Sequence, residues 1–336
     1  MADDIVRLKP AAARKLISSA LTGAGAAPQN VTYFTEAILD TELSGLEGHG
    51  FYWLQFYCNH LLSGKVKGKA KPKLMKRSPV SFVVDPMGGF AHPAIEKGFE
   101  KLIPAAKKYG IAGLGLTNSY NAATLGFHTG YLAKRGLLAF GFTNANAIIA
   151  PVGGKKPVIG TNPMSFAVPG KPGKIAFLID QSSSAVTWTA VKRASEDGRD
   201  IPLGWALDAS GAPTTDPAKG LAGSLAPAGG TRGFGQGLIV EVMRAALAGA
   251  NLGTNMGSFQ ADGKYIGCGQ FFIAIEPTMF SGGTFAKQIA ALAKSITAQD
   301  GARLPNSRRE ANIKRLSKEG IPIGKALLEK LQSYAR

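Results

Sequence analysis

Apolar residues in the first 60 positions recur at helical spacing. Val31, Phe34, Ala37 and Ile38 fall on one stripe, and Gly45, Gly48 and Gly50 end the pattern. A second stripe, Ile95, Phe99, Leu102, Ile103 and Ala106, predicts an amphipathic helix that stops at Gly110. The texture then changes. AGLGLTN (112–118), LLAFGFTN (137–144) and KIAFLIDQ (174–181) are short apolar runs bounded by Gly, Asn and Pro, as buried strands are. A helix is expected over 238–248 and a late strand at FFIAIEP (271–277); from 285 the chain is again helical and basic. Helices at both ends of a glycine-rich sheet predict an α+β fold. Residues 1–78 are expected to form a helical unit that packs with 285–336, and residues 79–284 the sheet domain.

Composition supports a globular chain: 336 residues, 45% hydrophobic and 18% charged. No charged leader precedes an apolar stretch, and no apolar run reaches the roughly 18 residues a membrane helix needs, so a cytoplasmic protein without membrane contact is expected. Two cysteines, Cys58 and Cys268, are too few for a disulfide framework and lack zinc spacing, so no metal is expected. The charge balance is unusual, with 39 basic against 22 acidic residues and a formal net charge of +17. Such a field draws anions, phosphorylated cofactors among them. Its densest run, KVKGKAKPKLMKR at 65–77, holds no aromatic residue and is read as a solvated connection; nucleic acid is not expected as a partner.

A Rossmann fingerprint would be GxGxxG directly after a strand and opening a helix. Gly23-Ala24-Gly25-Ala26-Ala27-Pro28 follows a helical segment and ends in proline, and GGTRGFGQG (229–237) misses the spacing. The second does run into a helix, where its backbone amides could hold an anion. Of the four histidines, His49 is set apart by Gly48 and Gly50, which expose the imidazole and let a ligand come close to the backbone.

At these residues a family resemblance begins. GHGFYWLQFY (48–57) resembles the Ser-His-Gly signature of the type 2 malate/L-lactate dehydrogenase family, which includes sulfolactate and ureidoglycolate dehydrogenases and the Δ1-piperideine/Δ1-pyrroline-2-carboxylate reductases. The match continues through TNSYNAATLG (117–126), the GTNP block (150–169), IDQSSSAV (179–186), IPLGWALDASGAPTTDP (201–217), the GGTRG block (221–242) and RLPNSRRE (303–310). The resemblance implies a mostly antiparallel, non-Rossmann sheet domain that binds NAD(P)H, a homodimer, and a small carboxylate substrate. Hydride would pass to C2 of a 2-oxo acid or cyclic 2-imino acid, with His49 as the proton donor. It places the cofactor on Tyr120, Asn121, Ala122, Ala123, Thr124, Leu125, Thr161, Asp180, Gln181, Ser182, Gly230, Arg232, Arg308 and Arg309. Asp180 has a plainer alternative, capping the turn at 182–186. The arginine pair at 308 and 309 suits the 2′-phosphate of NADPH, with NADH as the alternative.

Departures from the family pattern cluster on the substrate pocket, expected at Gly48, Trp53, Trp188 and Arg232. Relatives carry serine at Gly48, a carboxylate-clamping arginine at Trp53, His-His or Asn-His at Tyr120-Asn121, Asp or Lys at Ala190, and lysine at Arg232. An indole has one neutral donor and no charge, so it does not replace a guanidinium. Trp53 and Trp188 are either pocket walls or core residues; Arg232 is either a relocated carboxylate partner or an exchanged phosphate ligand. The alternative to a working reductase is a cofactor-binding protein of the same family that has lost the usual substrate clamp.

Overall fold

The computed structural model describes residues 4–46, 48–259, 263 and 265–335. The chain opens with β1 (Ile5–Leu8), α1 (Pro10–Gly23), α2 (Pro28–Leu43) and α3 (Phe51–Leu62). Proline begins α1 and α2, where its missing N–H leaves no helical bond unmade. There follow β2 (Lys73–Lys76), β3 (Ser81–Asp85), α4 (Ala91–Tyr109), β4 (Ile111–Ser119) and α5 (Leu125–Ala133). Next come β5 (Leu138–Thr143), β6 (Met164–Pro169), β7 (Ile175–Gln181), α6 (Trp188–Glu196), β8 (Ala206–Leu207), β9 (Pro213–Thr214), α7 (Pro217–Ala222) and β10 (Ser224–Leu225). The C-terminal third holds α8 (Thr231–Glu241), a π-helical turn (Val242–Ala246), β11 (Cys268–Ile275), α9 (Thr278–Ser281), α10 (Phe285–Thr297), α11 (Ser307–Glu319), β12 (Ile321–Gly324) and α12 (Lys325–Tyr334).

Among the described residues the main sheet has seven strands in the order β2-β3-β4-β11-β5-β6-β7. Every pair in it is antiparallel except β3–β4, which α4 connects as a crossover. This mixed, mostly antiparallel sheet is the α+β arrangement expected from the sequence, and it contains no doubly wound parallel half. Three short strands, β10-β8-β9, make a separate small sheet.

The expected helical stripe is buried: Val31, Phe34, Ala37 and Ile38 all face the core from α2. That core joins α1, α2 and α3 to the other end of the chain, with Ile321, Ile323, Leu331 and Tyr334 in the same cluster. β1 pairs antiparallel with β12, and α12 lies on α1 and α3. A second core fills the space between α4, α5 and the sheet, where Ile95, Phe99 and Leu102 meet Leu114, Leu116 and Phe272. Gly98 is the contact point of α4 with β4, since a Cβ there would overlap the Leu114 side chain. By contrast, no residue of α10 is buried, although Phe285, Ile289 and Ile296 recur along one side of it.

Two boundaries differ from expectation. The helix expected over 238–248 starts earlier, at Thr231, and passes into the π-turn after Glu241. Its glycine-rich first turns hide a helix from propensity, because Gly233 and Gly237 are selected by close packing instead: a Cβ would strike Ala228 at one and Ile159 at the other. No helix among the described residues is long and apolar enough to cross a membrane.

Candidate active site

A cavity of about 360 Å³ opens between the first helical layer and the edge of the main sheet. Its walls come from the loop before α3, the loop from β4 into α5, the end of β7, the start of α6 and the first turn of α11. His49, Trp53, Trp188, Asn121, Ala123, Thr124, Leu125, Thr161, Asp180, Gln181, Ser182 and Arg309 all line it. Segments as far apart as 49 and 309 thus converge on one space.

His49 sits on the turn between α2 and α3, with its backbone N–H donating to the Leu46 carbonyl at 2.9 Å. The next residue, Gly50, packs on the buried Glu42 carboxylate, whose Oε1 accepts the Phe51 N–H at 2.5 Å. A carboxylate at the N-terminus of α3 is favoured by the helix dipole, and it anchors the turn that carries His49. The imidazole is exposed to solvent at the cavity mouth, yet the surrounding walls strip enough water to lower its pKa from the ordinary value. The Asp180 charge opposes that shift and the Arg309 charge reinforces it.

Asp180 and Arg309 form an ion pair at 3.3 Å beside the N-terminus of α5. Asp180 Oδ2 also accepts the Gly126 N–H at 3.0 Å, so it does not cap the turn at 182–186 in this conformation. Gly126 lies so close to both that a Cβ would come within 2.8 Å of Arg309 Nη1 and of Asp180 Oδ2. Only glycine leaves this approach open. Thr161 is presented by Asn162, a buried asparagine at φ 40° in the left-handed region, where asparagine is better tolerated than most residues. Asn162 Nδ2 donates to Gly237 O at 2.9 Å and to Glu241 Oε2 at 2.8 Å. Glu241 Oε1 in turn accepts from Arg244 at 2.6 Å and from Gly253 N–H at 2.7 Å. The GTNP loop is therefore held by a buried ionic network on the far side of the cavity wall.

Asn121 is oriented as tightly. Its Oδ1 accepts the Tyr57 hydroxyl at 2.9 Å and the Ala123 N–H at 2.7 Å, which leaves the amide NH₂ as the group free to face the cavity. Burial pushes the Tyr57 hydroxyl well above the usual tyrosine pKa, so it stays a donor.

Six residues expected at the site do not line the cavity. Tyr120 is buried behind it, with its hydroxyl against His60 Nδ1. Ala122 is also buried, and its carbonyl accepts from His128 Nε2 at 2.9 Å. Gly48 offers its carbonyl rather than an edge of the wall: Trp53 Nε1 donates to it at 2.6 Å. Gly230 and Arg232 lie at the N-terminus of α8, and Arg308 on the first turn of α11; both arginines are exposed. Conversely, the cavity is lined by Asn144, Asn146, Met256, Phe259, Ile266 and Cys268, none of which was expected there. The two asparagines carried a signal, since TNANA follows directly on a strand and loop ends of strands commonly hold ligand donors. Met256 and Phe259 had none. No cluster of three or more His, Cys, Asp or Glu residues placed to hold a metal occurs among the described residues.

A non-Rossmann sheet with one histidine and a carboxylate–guanidinium pair on a single cleft defines a class of enzymes that work on a bound small molecule. The chain matches the malate/L-lactate dehydrogenase family over residues 8–332. It is 37% identical to a (2R)-3-sulfolactate dehydrogenase (NADP(+)) of Chromohalobacter salexigens, with 96% of each chain covered. It is 36% identical to a Δ1-pyrroline-2-carboxylate reductase of Ancylobacter novellus over 98% of each. Among solved structures, the Δ1-piperideine-2-carboxylate reductase of Pseudomonas syringae superposes with a TM-score of 0.92 at 29% identity, covering 98% of this chain and 99% of that one. The chain belongs to the malate/L-lactate dehydrogenase family. It is, accordingly, an NAD(P)-dependent oxidoreductase.

Proposed function

We propose that the protein reduces C2 of a small 2-oxo acid or cyclic 2-imino acid with NADPH, and that His49 delivers the proton. The observation that carries this reading is the convergence of His49, the Asn121–Leu125 strip, Thr161 and the Asp180–Arg309 pair on one cavity. The missing Cβ at Gly126 lets the Asp180–Arg309 pair close on the start of α5, beside the Thr124 and Leu125 positions that line the cavity. The N-terminus of α8, entered through Gly229 and Gly230 at φ 62° and 64° without a side-chain cap, suits an anionic group of the same cofactor. NADPH is favoured over NADH by the exposed Arg308 beside Arg309, and by the NADP(+) in the name of the sulfolactate dehydrogenase relative.

When bound, the reduced nicotinamide supplies the hydride. As the C–H bond forms, the π pair of the C=O moves onto oxygen, and His49 supplies the proton that makes the hydroxyl. Exposure of the ring at the cavity mouth lets solvent return the proton afterwards. A ketimine already protonated on nitrogen becomes the neutral amine on hydride addition and needs no proton from His49, which then serves as a polar neighbour. Replacing His49 by Ala should abolish reduction of oxo acids while calorimetric NADPH binding survives. Full activity in that variant would overturn the assignment.

The protein works as a homodimer in this reading, with residues 79–284 and the sheet-edge strand β2 (Lys73–Lys76) as its cofactor domain, and the rest of residues 1–78 joined to 285–336 as its helical unit; β2 moves the expected boundary at 78 back to about 72. Support comes from α10, which has no buried residue, and from Phe280 just before it, which is 67% exposed. An apolar face of that kind is normally covered. Light scattering should give twice the chain mass, and Phe280→Asp with Ile289→Asp should shift it toward the monomer.

A further inference from the structure

Resting on the reading of this cavity as the site of 2-oxo acid reduction, we infer that the substrate carries a bulky apolar substituent, of aromatic size, seated on Trp53 and Phe259. Trp53 lines the cavity from the first turn of α3, and its only donor is already taken by the Gly48 carbonyl. What it offers a ligand is therefore an apolar, π-rich surface. Phe259 stands edge-on to it, with centroids 4.8 Å apart and planes at 82°, a geometry favoured by the ring quadrupoles. The same Phe259 packs edge-on to Tyr57 at 6.0 Å, and the Tyr57 hydroxyl is committed to Asn121. Three aromatic rings thus meet with their polar atoms turned to internal partners, and Met256 and Ile266 continue the apolar lining.

The charged side chains among the described lining residues are His49, Asp180 and Arg309, of which the last two are paired with each other. A carboxylate or sulfonate at the far end of the substrate would leave water for an aromatic corner, which is costly without a partner. The positive field of the whole chain works against a cation in the same place. An uncharged ring or branched alkyl group gains contact there instead. Trp53 is the specificity-determining residue of this arrangement: it stands on the wall and has no other polar task beyond the Gly48 bond.

The test compares phenylpyruvate and 4-methyl-2-oxopentanoate with pyruvate, oxaloacetate and 3-sulfopyruvate, all with NADPH, in wild type, Trp53→Ala and Trp53→Arg. Wild type should prefer phenylpyruvate over pyruvate in kcat/KM by on the order of 100-fold. Trp53→Ala should collapse that ratio, and Trp53→Arg should turn it toward oxaloacetate and 3-sulfopyruvate. Calorimetric titration of phenylpyruvate or pyruvate into the NADP⁺-loaded protein reads the same preference without turnover. Tight phenylpyruvate binding that Trp53→Ala removes, with no reduction of any acid, sustains the apolar corner and overturns the reductase reading. Reduction led by pyruvate or the charged acids, with Trp53→Ala lowering every substrate equally, overturns this inference and leaves the reductase reading standing. If no acid binds or reacts, both fall.

Discussion

Arg309 reaches across 129 positions of sequence to hold Asp180, with both terminal guanidinium nitrogens 3.3 Å from the same carboxylate oxygen. The pair lies over the Gly126 backbone, so one basic residue is fixed against the start of α5 while its neighbour Arg308 points to solvent. The two arginines should therefore behave differently. Arg309→Ala should weaken NADPH and NADH alike, because it removes a group that shapes the site for either. Arg308→Ala should weaken NADPH by about tenfold, the worth of one charge-assisted contact to phosphate, and leave NADH nearly unchanged. Equal losses for both cofactors in Arg308→Ala would remove it from the 2′-phosphate.

The Asp180 charge also bears on the pH dependence expected of His49. The His49 pKa is lowered, chiefly by desolvation, and Asp180 partly restores it. With His49 as the proposed proton donor, reduction of an oxo acid needs the protonated ring, so kcat/KM should fall as pH rises through a value below the usual 6.5 of histidine. Oxidation of the hydroxy acid requires the neutral ring and should rise through the same value. Asp180→Asn removes the charge that favours imidazolium, so the reductive profile should move to still lower pH. Arg309→Ala removes an opposing charge and should move it up. An unmoved profile in both variants would separate His49 from the observed ionisation.

Much of the fold was legible because its signals are local. The α2 stripe and the runs that became β4, β5, β7 and β11 are patterns of burial that any partner surface would preserve. The start of α8 was not, because Gly233 and Gly237 weaken helix propensity for the sake of close packing on neighbours distant in sequence. At the site, the cavity-lining expectations that rested on contiguous motifs, such as His49, Asn121 and Thr161, share one space. Within those motifs, alternation decides which residues face inward, and this separates Asn121 from the buried Tyr120 and Ala122 on either side. Met256 and Phe259 reach the cavity only through tertiary folding. Nothing near them in the chain announces a ligand.

Two buried histidines behind the Asn121–Leu125 strip predict acid sensitivity. His92 stacks on Phe34 with centroids 3.9 Å apart, and neither of its ring nitrogens is hydrogen-bonded. His128 is held between the Tyr33 hydroxyl at 3.2 Å and the Ala122 carbonyl at 2.9 Å. Burial lowers both, His128 to about 4 and His92 well below its usual value. The unfolded chain therefore takes up protons first as pH drops below about 6.5, and stability declines from there toward pH 4. His128 alone accounts for about 3 kcal/mol of that loss. Denaturant midpoints measured across this window should slope downward with acid, and His92→Phe should flatten the slope. A slope identical to wild type would mean that His92 is not held neutral by burial.

The turn that carries His49 depends on a missing side chain. Gly50 abuts the Glu42 carboxylate so closely that a Cβ would overlap Oε1, and the same oxygen receives the Phe51 N–H that opens α3. Gly50→Ala must push the carboxylate away, break that bond, or shift the turn. The combined overpacking and lost cap should cost about 2–3 kcal/mol. Because His49 rides on this turn, kcat for reduction should fall further than NADPH affinity does. Glu42→Ala relieves the overlap at the expense of the cap. The double variant should therefore be clearly more stable than the sum of the two single losses predicts, the mark of residues in direct contact. Strict additivity in a urea-denaturation cycle would show that the two do not constrain each other, and that His49 is placed by some other feature of the turn.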